Sequence, residues 1–393
     1  MTVPSRADLA ALPDYIIPRQ APEAILLNSN ELPMAPLPAV AEALSVAARE
    51  SHRYPQWFSE DLVAALAAHL GLPRSWLAVG CGSVSLCAQL IQAYCGPGDE
   101  VLCAWRSFEA YPVLARIAGA TPRTVGLDSA HGHDLVAMAE AVTPATRLIF
   151  LCNPNNPTGT AFGRQQLDAF LDRVPPDVLV VLDEAYHEFA GPDVANGVSV
   201  LANRENVAVL RTFSKAYGLA GVRVGYCVAP PAVIREVQKV AVPFAVSRLA
   251  QHSAYTALQY TDEVAARCAA VVGERERLFR ALRRTGFPVP RSHANFLWLP
   301  LGAESGRFAE ACADRGILVR QFGDEGVRVT VGLTDENEAF LRAAEEFILP
   351  VIGQAARDPR SGGAPALARR QCPSTVPRGA EALPLPGRSS GTP

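Results

Sequence analysis

The chain has 393 residues, a net charge of −3 at neutral pH and 49% hydrophobic residues. That length supports one large or two moderate domains, and the nearly balanced charge leaves no footprint for nucleic acid or an anionic membrane surface. No apolar run approaches the roughly 20 residues that span a bilayer, and the N-terminus lacks a secretory apolar stretch, so a cytoplasmic protein is expected.

Residues 1–35 read as an N-terminal arm, because prolines at 4, 13, 18, 22 and 33 prevent a long helix. From residue 36 to 243 helices and strands alternate. Helical patterns run from Pro38 to about Arg49 and from Ser59 to His69. Leu77–Val79 reads as a strand leading into Gly80-Cys81-Gly82-Ser83, and an apolar helix continues to about Tyr94. Glu100–Ala104 reads as a strand and Tyr111–Ile117 as a helix. Arg147–Cys152, Val178–Leu182 and Val207–Arg211 are continuous apolar strands. Runs without polar alternation suit a sheet buried on both faces. The expected fold is therefore α/β, a mostly parallel sheet with helices on both faces.

The texture changes after Pro243. Helical stretches run from about Ala250 to Arg284, strands follow at Phe296–Leu299 and Val327–Thr330, and a helix runs from Asp335 to about Phe347. This is a smaller α+β domain over residues 244–353. Residues 354–393 are rich in proline, arginine, glycine and serine, cannot bury enough surface to offset their ordering entropy, and read as a disordered tail. The nine cysteines form no CxxC pair and the seven histidines no HxxxH or HExxH spacing. Disulfide and metal readings gain nothing from them.

The chemistry concentrates at strand ends. Lys215 stands just beyond an apolar strand in Thr212-Phe213-Ser214-Lys215, with Arg223 eight residues later. An amine beside a hydroxyl and a guanidinium suits an aldehyde cofactor with a phosphate tail: the lysine forms the Schiff base and shuttles a proton, while Ser214 and Arg223 bind phosphate. By itself such a lysine would be a solvated residue at a strand end. Its company changes that reading.

Asp183 ends the strand Leu179-Val180-Val181-Leu182, where ligands of open α/β sheets bind, and can hold a pyridine nitrogen protonated. Alone it could be a helix N-cap. Glu184 reads as a structural or solvated acid, and Tyr186 as a donor to a ring oxygen. Asn153-Pro154-Asn155-Asn156-Pro157-Thr158-Gly159 forms a tight loop after a buried strand and can present Asn156 to the same oxygen. Gly80-Cys81-Gly82-Ser83 opens a helix whose N–H groups can seat phosphate; a dinucleotide fingerprint fails for want of a third glycine at Ser85. Phe108 can stack on the cofactor ring or serve as a core aromatic.

These segments together resemble the fold-type I pyridoxal-phosphate aminotransferases over about residues 10 to 352. Asn28-Ser29-Asn30-Glu31-Leu32-Pro33, Arg53-Tyr54-Pro55, NPNNPTG, LDEAY and TFSKAYGLAGVRVGY resemble the histidinol-phosphate aminotransferase subgroup. Within it, GCGSVSLC, AWRSFEAYP and VPFAVS resemble actinobacterial aromatic amino acid (phenylalanine) aminotransferases. The resemblance implies Lys215 as Schiff-base lysine, Asp183 on the pyridine nitrogen, Asn156 and Tyr186 at the ring oxygen, and Phe108 on the ring face. It implies Gly82, Ser83, Ser214 and Arg223 at the phosphate, with Tyr54 reaching in from the partner of a homodimer. Arg328 matches the carboxylate-binding arginine, Arg320 lies near it, Asn30 belongs to the substrate-binding set, and Tyr15 matches an aromatic of the arm that closes over substrate. No metal is implied. Val84 and Ser85 replace an acidic pair common in relatives, and Phe108 replaces a frequent tyrosine.

The expected reaction is a ping-pong transamination between an aromatic amino acid and 2-oxoglutarate. Histidinol-phosphate transamination, with Arg320 and Arg328 together on the phosphate, is the alternative. A threonine-phosphate-type decarboxylase shares the scaffold, and a pyridoxal-phosphate-sensing regulator would carry a DNA-binding segment ahead of the core.

Overall fold

The computed structural model describes residues 3, 6, 12 and 23–357. Its strands in chain order are β1 (Ile25–Leu27), β2 (Leu77–Gly80), β3 (Glu100–Trp105), β4 (Thr121–Gly126), β5 (Thr146–Cys152) and β6 (Leu179–Asp183). They continue with β7 (Val207–Thr212), β8 (Gly225–Val228), β9 (Phe296–Leu299), β10 (Ile317–Phe322) and β11 (Gly326–Thr330). Seven of them form one sheet in the order β2-β8-β7-β6-β5-β3-β4, and four form another in the order β1-β10-β11-β9. In the larger sheet only β8 runs against its neighbours, β2 and β7.

The apolar strands are buried on both faces because successive residues enter two different cores. Ile149, Leu151, Val180, Leu182, Val207 and Val209 pack on one side with Leu62, Leu66, Leu167 and Phe170. Leu148, Phe150, Val181, Ala208 and Leu210 pack on the other with Leu86, Leu90, Tyr111 and Val233. This period-two division is what a helix-covered parallel sheet requires. The expected α/β architecture is the observed one.

Several elements lack the apolar signature and were not expected from the sequence. β4, Thr-Pro-Arg-Thr-Val-Gly, is an edge strand with mostly exposed residues, as proline and polar side chains at an edge allow. β8 and β10 lie inside glycine- or arginine-bearing segments, and short helices at Leu135–Glu140, Arg164–Leu171, Pro231–Lys239 and Ser305–Ala313 complete the pattern. The expected helical stretch after Ala250 is two helices, Arg248–Ala257 and Thr261–Arg284. The last helix, Thr334–Arg357, continues ten residues past Phe347 and into the segment read as tail; residues 358–393 lie outside the described residues. The end of the arm is β1, which joins the smaller sheet parallel to β10. Among the described residues no helix is long and apolar enough to cross a membrane.

Parallel register brings the catalytic candidates together. Cys152 lies opposite Asp183 and Asp183 opposite Leu210, so the segments leaving β5, β6 and β7 emerge at one sheet edge, the usual ligand edge of such sheets. A buried ion pair ties β7 to the segment leaving β6. Arg211 donates to Glu184 Oε2 through Nε at 3.0 Å and Nη2 at 2.9 Å, which settles Glu184 as structural.

The glycine turn also depends on β8. A Cβ on Gly225 would stand 2.6 Å from Ser83 N and 3.0 Å from both Arg211 O and Gly82 C. These are backbone atoms with no flexible side chain to yield. Gly225→Ala is expected to cost about 1–3 kcal/mol in denaturant unfolding, and an unchanged midpoint would show that the turn does not pack against β8 as described.

Candidate active site

Asp183 ends β6 with 3% of its surface exposed. Its Oδ2 accepts a 2.7 Å hydrogen bond from the Tyr111 hydroxyl, and Oδ1 accepts a longer one from Ala185 N at 3.3 Å. Burial pushes the carboxyl up to about 6, while the Tyr111 bond opposes the rise. Tyr111 is itself fully buried, stacked on Phe150 at 4.2 Å. Phe108 meets the edge of Tyr111 at 5.4 Å and remains half-buried.

Lys215 follows β7, its Nζ donating to Ser29 O at 3.1 Å and standing 6.0 Å from the Tyr186 ring centre. Removal from bulk water lowers the amine to about 7. Arg328 and Arg223 reinforce the shift, and Glu31 and Asp183 oppose it.

A polar seat lies beside the lysine. Arg223 Nη1 donates to Ser214 Oγ at 3.2 Å and to Ala220 O at 2.9 Å. Gly82 has φ +77°, and a Cβ there would stand 2.6 Å from Arg223 Nη2, so only glycine admits the guanidinium so close. The helix Ser83–Tyr94 starts at this point with no side-chain cap, leaving N–H groups for a ligand.

The smaller sheet supplies the opposite wall. Arg328 on β11 is 8% exposed; its Nη1 donates to Asn156 Oδ1 at 2.5 Å and its Nη2 to Asn28 O at 2.7 Å. Its Nε is buried without a partner. Burial pushes the guanidinium down to about 10, Tyr186 pulls it back, and neighbouring Arg320 lowers it further. Arg320, opposite Arg328 across β10 and β11, donates to Glu109 Oε2 at 3.1 Å. Asn30 donates to the Tyr186 hydroxyl at 3.0 Å, while its backbone and Oδ1 bond Thr330 and Asn295. It thus orients Tyr186, whose phenol burial holds above its ordinary value.

One expected residue stands apart, and another is not among the described residues. Tyr54 is 78% exposed and stacks on Phe244 at 4.6 Å. Tyr15 lies outside the described residues. A cleft of about 800 Å³ between the helices Glu60–Leu70 and Arg248–Ala257 is lined by His69, Gln251 and His252 and contains none of the site residues above.

A family model described as "Aminotransferase class I and II" matches residues 22–343. The chain belongs to that family. This aminotransferase is 55% identical over 344 residues to the aromatic amino acid aminotransferase of Rhodococcus jostii (strain RHA1), covering 88% of this chain and 96% of the relative. It is 54% identical over 350 residues to that of Nocardia farcinica (strain IFM 10152), covering 88% and 98%. Among solved structures it resembles the histidinol-phosphate aminotransferase of Sinorhizobium meliloti in complex with pyridoxal-5'-phosphate, with TM-score 0.82 and 28% identity, covering 88% of this chain and 98% of that one.

The family and the cofactor-bound neighbour imply pyridoxal phosphate, and the residues of this aminotransferase fit it. A buried carboxylate bonded to a phenol and an amide but to no cation suits a protonated ring nitrogen. The Gly82–Arg223–Ser214 seat suits a phosphate.

Tyr111 was not singled out from the sequence. It sits on the apolar face of a short helix, where a tyrosine reads as core, and only the tertiary structure carries its hydroxyl to Asp183. Tyr111→Phe keeps the packing but strips the buried carboxyl of its better donor. Denaturant unfolding of the apoprotein should register a loss of about 1–3 kcal/mol. A change below about 0.5 kcal/mol, within the range of an ordinary surface substitution, would show that the hydrogen bond carries no net stability.

Proposed function

We propose that this aminotransferase transfers the amino group of an aromatic amino acid to 2-oxoglutarate in two half-reactions at one site, with pyridoxal phosphate held at Lys215. The observation that carries the reading is the placement of Lys215, its Nζ bonded to Ser29 O and 6.0 Å from the Tyr186 ring centre, together with buried Asp183 and the Gly82–Ser214–Arg223 seat. Burial lowers its amine to about 7. A neutral amine has the lone pair that both cofactor anchorage and proton transfer require. Pyridoxal phosphate, when bound, supplies an aldehyde that carries the amino group and a ring that draws electrons from the substrate Cα.

The chain's own groups do the rest. Asp183 holds the ring nitrogen protonated. Tyr186, kept as a phenol by burial, and Asn156 donate to the ring oxygen, with Asn30 fixing the Tyr186 hydroxyl. Gly82, Ser83, Ser214 and Arg223 hold the phosphate, and Phe108 covers a ring face. Lys215 takes the α-proton and returns it. Arg328 pins the substrate carboxylate, and Tyr15 covers the substrate.

Tyr54, turned outward in one chain, would complete the phosphate seat of a partner in a homodimer. We assign the large domain to residues 36–243, the small domain to 244–353, and the protein to the cytoplasm.

The names of the relatives at 55% and 54% identity support the aromatic substrate. Arg320, lying opposite Arg328, is the feature that favours histidinol phosphate as a second reading. Steady-state kinetics with phenylalanine, tyrosine and histidinol phosphate test the choice. An aromatic amino acid should show the higher kcat/KM, and selectivity for histidinol phosphate would overturn the assignment. Lys215→Ala should lower kcat by at least about a thousand-fold, the upper part of the range for a proton-transfer group.

Lys215 and Lys239 are the only lysines in the sequence, so an amine-directed reagent reports on few sites. Lys239 is exposed and paired with Glu236 at 2.7 Å. In the apoprotein, labelling of Lys215 should rise with pH through about 7, as the neutral fraction grows. A midpoint above about 9, closer to an unperturbed lysine, would remove the amine's assigned state.

A further inference from the structure

The arginine wall contains more charge than a carboxylate needs. Arg320 and Arg328 face each other across β10 and β11, and their guanidinium carbons lie 5.6 and 5.5 Å from the centre of the Phe322 ring. Arg106 lies 5.7 Å from the same ring. Three cations therefore surround one side chain. Two carboxylates answer them. Glu109 Oε2 accepts from Arg320 at 3.1 Å, and its Oε1 lies 3.6 Å from Arg106. Glu325 accepts from Arg106 Nε at 3.0 Å. The cation left over is Arg328, whose hydrogen bonds go to the neutral oxygens of Asn156 and Asn28.

We infer that Glu109 is a specificity-determining residue: by occupying Arg320 it leaves Arg328 as the one guanidinium of the wall with no carboxylate bonded to it, which suits a monoanionic carboxylate and disfavours a phosphate dianion. The inference rests on the proposed aromatic-substrate reading and supplies its physical basis. A phosphate ester, whose second proton leaves at a pKa of about 6, would need both Arg320 and Arg328. To take Arg320 it must displace Glu109 or bring two negative charges against a carboxylate, and such repulsion discriminates between ligands as effectively as attraction.

Glu109 is well placed for this. It lies between Phe108, at the ring face, and Tyr111, the partner of Asp183, so the segment that shapes the cofactor pocket also sets the charge of the substrate wall. The pair is partly open to solvent, with Glu109 at 44% and Arg320 at 35% side-chain exposure. Water moderates its strength, so the expected selectivity is tens-fold rather than thousands-fold.

The test uses the full-length, cofactor-loaded enzyme and its Glu109→Gln variant. kcat/KM is measured for phenylalanine and for histidinol phosphate. The ratio of the phosphate substrate to phenylalanine should rise at least ten-fold in Glu109→Gln and return toward the original value in Glu109→Asp. A ratio unchanged within two-fold in a folded, cofactor-loaded variant would overturn the inference, since a merely structural ion pair would alter the melting temperature and not the ratio. Should the variant fail to fold, the unaltered enzyme decides. Phenylpropionate should bind at least ten-fold tighter than phenyl phosphate, and equal or tighter binding of the phosphate ester would sink the idea. The two readings fail separately. An unaltered enzyme inactive on aromatic amino acids defeats the proposed function, whereas activity on phenylalanine with an unmoved ratio defeats only the role of Glu109.

Discussion

A carboxylate removed from water is the constraint around which this molecule is organised. Asp183 closes a strand whose every residue is buried, and an ionised acid in that position is costly unless hydrogen-bonded and paired. Tyr111 and Ala185 N supply hydrogen bonds but no charge. Burial therefore raises the carboxyl to about 6, and a cationic partner such as a protonated ring nitrogen would favour its ionised form. The flanking parallel strands and the Tyr111–Phe150 stack hold it in place.

The site is built from two sheets, and they contribute different chemistry. The larger sheet provides Asp183, Asn156, Lys215 and the Ser214–Arg223 seat from strand ends and the loops that follow. The smaller sheet, with the segment after β1, provides Arg328, Asn28, Ser29 and Asn30. Links between them span long stretches of chain: Arg328 to Asn156, Lys215 to Ser29 and Asn30 to Tyr186. A shift of one sheet against the other would alter the substrate wall and leave the phosphate seat, built wholly on the larger sheet, intact. That division suits an enzyme that must admit and release two different substrates around a cofactor held fixed.

How much of the site was legible in the sequence follows from where each residue sits. Asp183 stands out in the sequence because it ends a continuous apolar strand, and Lys215 because it lies three residues beyond one. Gly82 and Arg223 were readable through their neighbours, and the Gly82–Arg223 contact explains why both belong to one seat. Glu184 differs from Asp183 in being paired with a buried arginine, Arg211 of β7. Glu109 and Tyr111 were not readable. One looks like a surface acid and the other like core, and their partners Arg320 and Asp183 are 211 and 72 residues away in sequence. Asn30, which the resemblance puts in the substrate-binding set, hydrogen-bonds Tyr186, Thr330 and Asn295, partners that local sequence does not reveal.

Local pattern alone determined the α/β architecture, the strands β5, β6, β7 and β9, and the position of the candidate lysine, because continuous burial leaves a continuous apolar trace and a polar group beyond its end interrupts it. Tertiary structure decided what local pattern does not encode: the polar edge strand β4, the antiparallel β8, the joining of β1 to the smaller sheet, and the net charge of the arginine wall. Each depends on atoms distant in sequence meeting in space, where a side chain's charge or hydrogen bond takes its meaning from a partner that its neighbours along the chain do not reveal.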